Sequence, residues 1–502
     1  MKFFNKHKKI GAGLLAVLIV GSGCKKDLDI NLNPDFPTLG QGTPALVFPV
    51  GVLATTGKVG GDLAIVGGMW GEYITQAALA QQYTDVGSYN IPNTDGTTQN
   101  SWDVLFSQGL ENYQYVITQS ATLKDWNFYL LGTVMKAYTT AVMVDLYNSM
   151  PYTQSLQGQA QLNPKFDDGY TIYTDLLSSI DTALSKDFTA STVTDPSTQD
   201  LIFGGDMDAW KAFANTLKLK LYLRMINAHP DVAQAGIQAL YNNGAKFIDE
   251  TTKSASVTNF SNAPGLDNPL YEQNIRQLNT AVNLRASQTF VSWLEENSDP
   301  RITYFFGSTT PIAINQGDFR SSDPSYPNAA VFVETPTDPV DFLSVAESYF
   351  LQAEADIRYF GGTKAQSLYE SGVTAAFTAT GNASAAPAFL AGAYKWGAEM
   401  EAGSPLDPLS QVLRQKWASF AYGVHMIEGF FDRNRTGFPL LSPVYSNDPA
   451  YVPGQFVISA TSVLSPANAL PQRLPYPYDE LSRNTNAPAA SAVTDPIWWA
   501  KQ

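Results

Sequence analysis

Beyond residue 62, apolar positions recur at helical spacing through most of the chain. The cleanest case is 168–186, where Ile172, Tyr173, Leu176, Leu177, Ile180, Ala183 and Leu184 fall on one stripe. Residues 208–228 repeat the pattern with Trp210, Phe213, Ala214, Leu217 and Leu221. Residues 101–122 and 125–150 predict a helical hairpin turning at Leu123 and Lys124. Its second arm is very apolar but carries Lys136 and Asp145, which marks a buried helix rather than a membrane span. Residues 342–359 predict a helix stopped by Gly361 and Gly362. The next helix opens at Thr363, with Gln366 three residues on as a capping box, and 409–420 is helical again. Three long polar stretches, 81–100, 253–271 and 305–337, break this pattern, and the chain after Thr436 is mostly loop, with ten prolines in 439–496. These loops keep their aromatics, so they read as functional rather than disordered. The expected fold is all-α (mainly α), with degenerate tetratricopeptide-like helix pairs and long irregular loops.

The N-terminus follows another rule. Lys2, Lys6, Lys8 and Lys9 precede an apolar run at 10–20, which is too short to span a bilayer. Gly21, Ser22 and Gly23 then lead to Cys24. This order is that of a bacterial signal peptide ending in a lipobox, whose cysteine takes acyl chains. Two or more chains anchor a protein stably. The expected organisation is a signal peptide at 1–23, a lipidated tether at 24–49 and one helical body at 50–502. Cys24 is the lipidation site; if the chain were merely secreted, that cysteine would have no other to pair with.

Composition narrows the chemistry. The formal charge is −15 before the leader's four lysines are removed, so a phosphate backbone is repelled and nucleic acid is not an expected partner. Of three histidines, His7 lies in the leader, leaving His229 and His425. No metal, cofactor or catalytic set is expected. Aromatics make up 12% of the chain, with 25 tyrosines, and suit flat, weakly polar ligands. The 81–100 loop supplies candidate ligand contacts: Tyr83 and Tyr89 for stacking and Asn90 as a polar partner. Tyr271 and Tyr326, from later loops, are candidates for the opposite side. The competing reading is that these rings pack their own loops.

Five segments carry a family resemblance. They are AVMVDLYNSMPYTQSLQG at 141–158 with Pro164 to Asp167, then Trp210 to Arg224, then Glu347, Phe350, Leu351 and Glu354, then Val412, Gln415, Lys416 and Trp417 with Arg435-Thr436-Gly437, and last Arg473, Tyr476-Pro477, Glu480 and Asn484. In this order they resemble the SusD/RagB family of nutrient-binding surface lipoproteins of Bacteroidetes. Asn148 stands where the family has Gly, Asn434 where it has Arg, and Phe430 where a Trp is common. Lys25-Lys26-Asp27 resembles that group's surface-export tag. The resemblance implies a non-enzymatic protein on the outer face of the outer membrane. Such a protein captures a glycan and passes it to a TonB-dependent, SusC-like barrel. The alternatives are a RagB-type peptide binder or a surface glycosidase on a helical scaffold. The motif residues themselves are expected to be structural, with Glu354 satisfying backbone or an arginine, and Arg435 and Arg473 paired to carboxylates beneath the tail.

Overall fold

The computed structural model describes residues 42–193, 195–280, 282–397 and 407–501. The leader, Cys24 and most of the tether lie outside the described residues. Pro44–Gln502 forms one compact unit.

Helix α1, Pro44–Val59, begins inside the expected tether and ahead of the first expected helix. Pro49 disguises it. A proline lacks an N–H and normally breaks a helix interior, yet here it sits in the second turn and Phe48 and Val52 beside it are fully buried. Helix α2 follows at Asp62–Trp70. Pro44–Trp70 is long and apolar enough to cross a membrane, but 67% of its most apolar window is buried inside the protein.

The expected hairpin is α3, Glu111–Leu123, and α4, Trp126–Tyr147. Lys124, with φ 58, makes the left-handed turn between them, and the Asp125 side chain caps α4 through the Phe128 N–H. Next come α5 (Gly169–Leu184), α6 (Met207–Arg224) and α7 (Pro230–Asn242). The last main helices are α8 (Val345–Tyr359), α9 (Ala365–Ala379), α10 (Pro408–Ser419) and α11 (Met426–Thr436). Neighbours in sequence pack side by side: α4 touches α3, α5 and α6, α6 touches α7 and α8, and α8 touches α9 and α10. The α5 stripe is buried as the spacing predicts, from Ile172 to Ala183. The fold is mainly α.

Two local expectations fail. Residues 340–343 form a strand paired with Ala255–Val257, and the helix starts only at Val345. The run Val340, Phe342 and Leu343 is buried on both faces, which a paired strand accommodates as well as a helix does. The capping box at Thr363 does not form either. Lys364 takes the N-cap position without a side-chain cap, and its N–H donates to Asp356 Oδ2 at 2.8 Å. Two more short antiparallel pairs join Ile74–Gln76 to Leu284–Ala286 and Ser149–Pro151 to Phe166–Asp168.

Charged motif residues meet in the core. Glu354 is fully buried and accepts both Arg435 Nη groups at 2.7 Å, Lys416 Nζ at 3.0 Å and Arg358 Nε at 2.9 Å. Burial alone would raise its pKa, but the three cations outweigh it and hold the carboxyl well below its ordinary range. Asp432 pairs with the same Lys416 and Arg435. Lys220 bridges Glu347 at 2.9 Å and Glu428 at 2.7 Å, while Arg224 joins Glu428 to Asp145. Arg435 is thus paired as expected. Arg473 is not: it donates to the Tyr147 carbonyl, not to a carboxylate. Asn148 takes the glycine position at φ 72 and ψ −42, outside the left-handed helical region, and its Oδ1 accepts the Trp498 N–H at 2.7 Å.

Candidate functional site

The Ile74–Gln76 and Leu284–Ala286 pairing draws distant loops into one cluster. Beyond it, the Ala77 N–H donates to the Asn283 carbonyl at 2.8 Å, and the Leu79 N–H to the Phe319 carbonyl at 2.9 Å. The 441–465 segment closes the cluster. Val463 N–H reaches the Ser88 carbonyl at 3.0 Å, Ser459 Oγ the Gly87 carbonyl at 2.6 Å, and Tyr445 OH the Gln316 carbonyl at 2.7 Å. The loops at 77–95, 258–283, 309–335 and 441–465 therefore form one interlocked surface.

Three of the five expected contact residues are buried inside this cluster. Tyr83 is 7% exposed, and its hydroxyl donates to Asn274 Oδ1 at 3.3 Å. Tyr89 is 2% exposed, adopts φ 62, and hydrogen-bonds the Ser459 backbone. Tyr326 is 5% exposed; its hydroxyl donates to Asp318 and accepts from Asn315, both at 2.9 Å. Burial and the Asp318 carboxylate raise the Tyr326 pKa to about 12. These rings hold the loops together and offer no face for stacking in this arrangement. Their sequence surroundings are polar, but Tyr83 and Tyr89 join the main core and Tyr326 packs on Ile314 and Ala329, so local sequence does not reveal their burial.

The other two stand at the surface. Asn90 is exposed, with its amide 3.4 Å from Asp85 Oδ1. Tyr271 is half-buried, and the Arg276 guanidinium lies 5.5 Å from its ring centre. Asp267 and Glu272 fix that guanidinium in turn. Gln81, Gln82 and Asp85 are also exposed, and Leu79 is an exposed apolar group among them. The cluster thus presents amides, a cation and one aromatic edge, a set that can hydrogen-bond hydroxyls and cover a sugar's C–H face.

Two buried carboxyls support the cluster, and nothing in the sequence marked them. Glu334 Oε1 accepts from Asn274 Nδ2 at 2.9 Å, while Oε2 is buried without a partner. Burial raises its pKa to about 8. Glu72, at φ 59, accepts from Thr289 and from the Val457 N–H, and burial likewise raises it to about 8.

The fold agrees with known proteins. Residues 69–457 match the SusD-like_2 family, described as starch-binding and associating with the outer membrane. The chain belongs to this SusD-like family. A SusD homolog from Bacteroides uniformis ATCC 8492 is similar with TM-score 0.72 and 20% identity, over 91% of this chain and 99% of that one. A chitin-binding SusD homolog from Flavobacterium johnsoniae gives TM-score 0.71 and 19% identity, over 90% and 98%. A SusD/RagB family protein from Bacteroides thetaiotaomicron gives TM-score 0.71 and 20% identity, over 92% and 100%. No curated protein matches the chain.

Proposed function

We propose that the chain is a cell-surface glycan receptor, anchored by lipid at Cys24, that passes oligosaccharide to a TonB-dependent, SusC-like outer-membrane barrel. The observation that carries this reading is the interlocked loop cluster, which displays Asn90, Gln81, Gln82 and the Tyr271–Arg276 pair on a rigid helical body. Family membership supports the glycan and the outer membrane. The basic start, short apolar run and small residues before Cys24 support the anchor. Asn90 and Tyr271 are the proposed ligand contacts. Tyr83, Tyr89 and Tyr326 are positioning residues that fix the loops carrying them. No chemical step is assigned to the chain: it binds and releases. The barrel would meet the loop cluster, so that a ligand touching both proteins favours the closed pair.

The test is a glycan array on the mature chain, followed by calorimetry and by mild detergent extraction from native membranes. The reading expects neutral oligosaccharides to bind without release of new reducing ends, and a TonB-dependent barrel to co-purify. Binding of peptides alone would replace it with the RagB-type reading, and new reducing ends would replace it with a glycosidase.

A further inference from the structure

A groove of about 530 Å³ opens away from the tyrosines of the loop cluster. Its walls are the helix Gly96–Val104 with its π-helical continuation Leu105–Leu110, the loop at 151–164, and the tail helix Tyr478–Arg483. A π-helical turn widens a helix at a cost in hydrogen-bond geometry and recurs at functional sites. Here it carries Phe106 and Ser107 into the groove.

The floor is aromatic and fixed. Trp102 and Phe106 lie 5.0 Å apart at 47°. Trp102 is held from behind by Tyr147, edge-on at 4.9 Å, and by Phe166, stacked at 6.1 Å. Only a strip of Trp102 is open, while Phe106 is half-buried and supplies the larger apolar face. The walls are tied together rather than merely adjacent. Asn484 Nδ2 donates to the Pro164 carbonyl at 2.9 Å, and Asn163 Oδ1 accepts the Thr485 N–H at 2.9 Å.

The polar groups on these walls are of the kind that bind hydroxyls. The Gln157 carboxamide has no hydrogen-bond partner among the described residues, and Arg483 pairs only with Asp479, at 3.0 Å, leaving most of its guanidinium exposed. Glu480 faces the same space; burial raises its carboxyl pKa, against hydrogen bonds from Asn484 and Trp102. Asp103, Asp479 and Glu480 outnumber the one guanidinium, which disfavours uronate or sulfated chains.

We propose that this groove is a second oligosaccharide-binding site, which takes a short neutral sugar chain with its C–H face over Phe106 and its hydroxyls on Gln157, Glu480 and Arg483. The proposal rests on the glycan-binding reading above. The groove adjoins the loop cluster: the Tyr478 N–H donates to the Asn93 carbonyl at 2.9 Å, and Asp95, at the end of the 77–95 loop, caps the helix Gly96–Val104, so the two sites need separate variants.

The experiment is hydrogen–deuterium exchange and calorimetry on the mature chain with maltoheptaose, chitohexaose and the other neutral oligosaccharides of the array, and with oligogalacturonate as the anionic comparison. A neutral probe is expected to protect 155–164 and 478–484 as well as 79–90. The double variant Gln157→Ala/Arg483→Ala, at two exposed positions, is expected to lose the groove's protection and to weaken binding there by about five-fold or more, while 79–90 stays protected. Protection confined to 79–90 overturns the second site and leaves the proposed function standing. Failure of every neutral probe to bind overturns both. Preferential protection by oligogalacturonate, or release of new reducing ends, overturns the assignment of neutral-chain binding.

Discussion

The buried ionic core and the loop cluster use charge in opposite ways. In the core, Glu354 accepts from three cations and shares two of them with Asp432, so each charge has a partner at 2.6–3.0 Å. In the cluster, burial outweighs the donors that Glu72 and Glu334 find. Glu334 has one partner and a free oxygen, and its pKa rises to about 8. The core is also the part that made the chain recognisable. Glu347, Glu354, Lys416, Trp417 and Arg435 are all buried, and none reaches the loop surface. These buried motif residues therefore specify a scaffold.

The largest effect should come from the core. Glu354→Ala strands Arg435, Lys416 and Arg358 around a missing anion, and breaking such a buried pair costs about 3–5 kcal/mol. Urea unfolding of this variant should show that loss or no folded protein. A loss under about 1 kcal/mol would put the core network on a level with a surface ion pair.

Next comes the tyrosine that looked like a ligand contact. Tyr89 is packed and bonded within the cluster, so Tyr89→Ala should destabilise the chain by about 3 kcal/mol, the range of a large-to-small core change. Thermal unfolding decides this. An unchanged melting temperature with weakened ligand binding would restore Tyr89 as a stacking surface.

The third effect is a pH dependence. Glu334 has a folded pKa of about 8 against an ordinary 4.5. Its raised value favours the protonated fold, so stability is complete below about pH 4.5 and is lost as pH rises towards 8. Glu334→Gln should match wild type near pH 4 and exceed it increasingly as pH rises through about 8. A parallel pair of stability curves would show that the carboxyl is solvated.

Much of this contrast was legible in the sequence, and the gaps have physical causes. Residues 168–186 announced α5 because one face is apolar and the other polar, and the structure buries that face. The sequence left Glu354 to backbone or an arginine; the structure pairs it with Arg435, because a buried carboxylate needs a cation. The strand at Val340–Leu343 was hidden because a short apolar run fits either a strand or a buried helix. Helix α1 was hidden by Pro49, whose cost the packing of Phe48 and Val52 offsets. The cluster's aromatics were the hardest case. Tyr83 and Tyr89 sit among polar neighbours, and only contacts with Asn274 and Ser459, hundreds of residues away, decide that they face inward. Asn90 and Tyr271 remained at the surface, but no local signal separated them from the buried three.

The central claim is that the loop cluster binds glycan while the core only supports it. The direct measurement is calorimetry of wild type and Asn90→Ala/Tyr271→Ala, the two proposed contacts, with the best neutral oligosaccharide from the array. The account predicts affinity reduced about five-fold or more, near 1 kcal/mol, because hydrogen bonds at the surface are lost. The melting temperature should stay close to wild type, since Asn90 is exposed and Tyr271 is half-buried. Unchanged affinity in a folded variant would contradict the claim and move the ligand off this face.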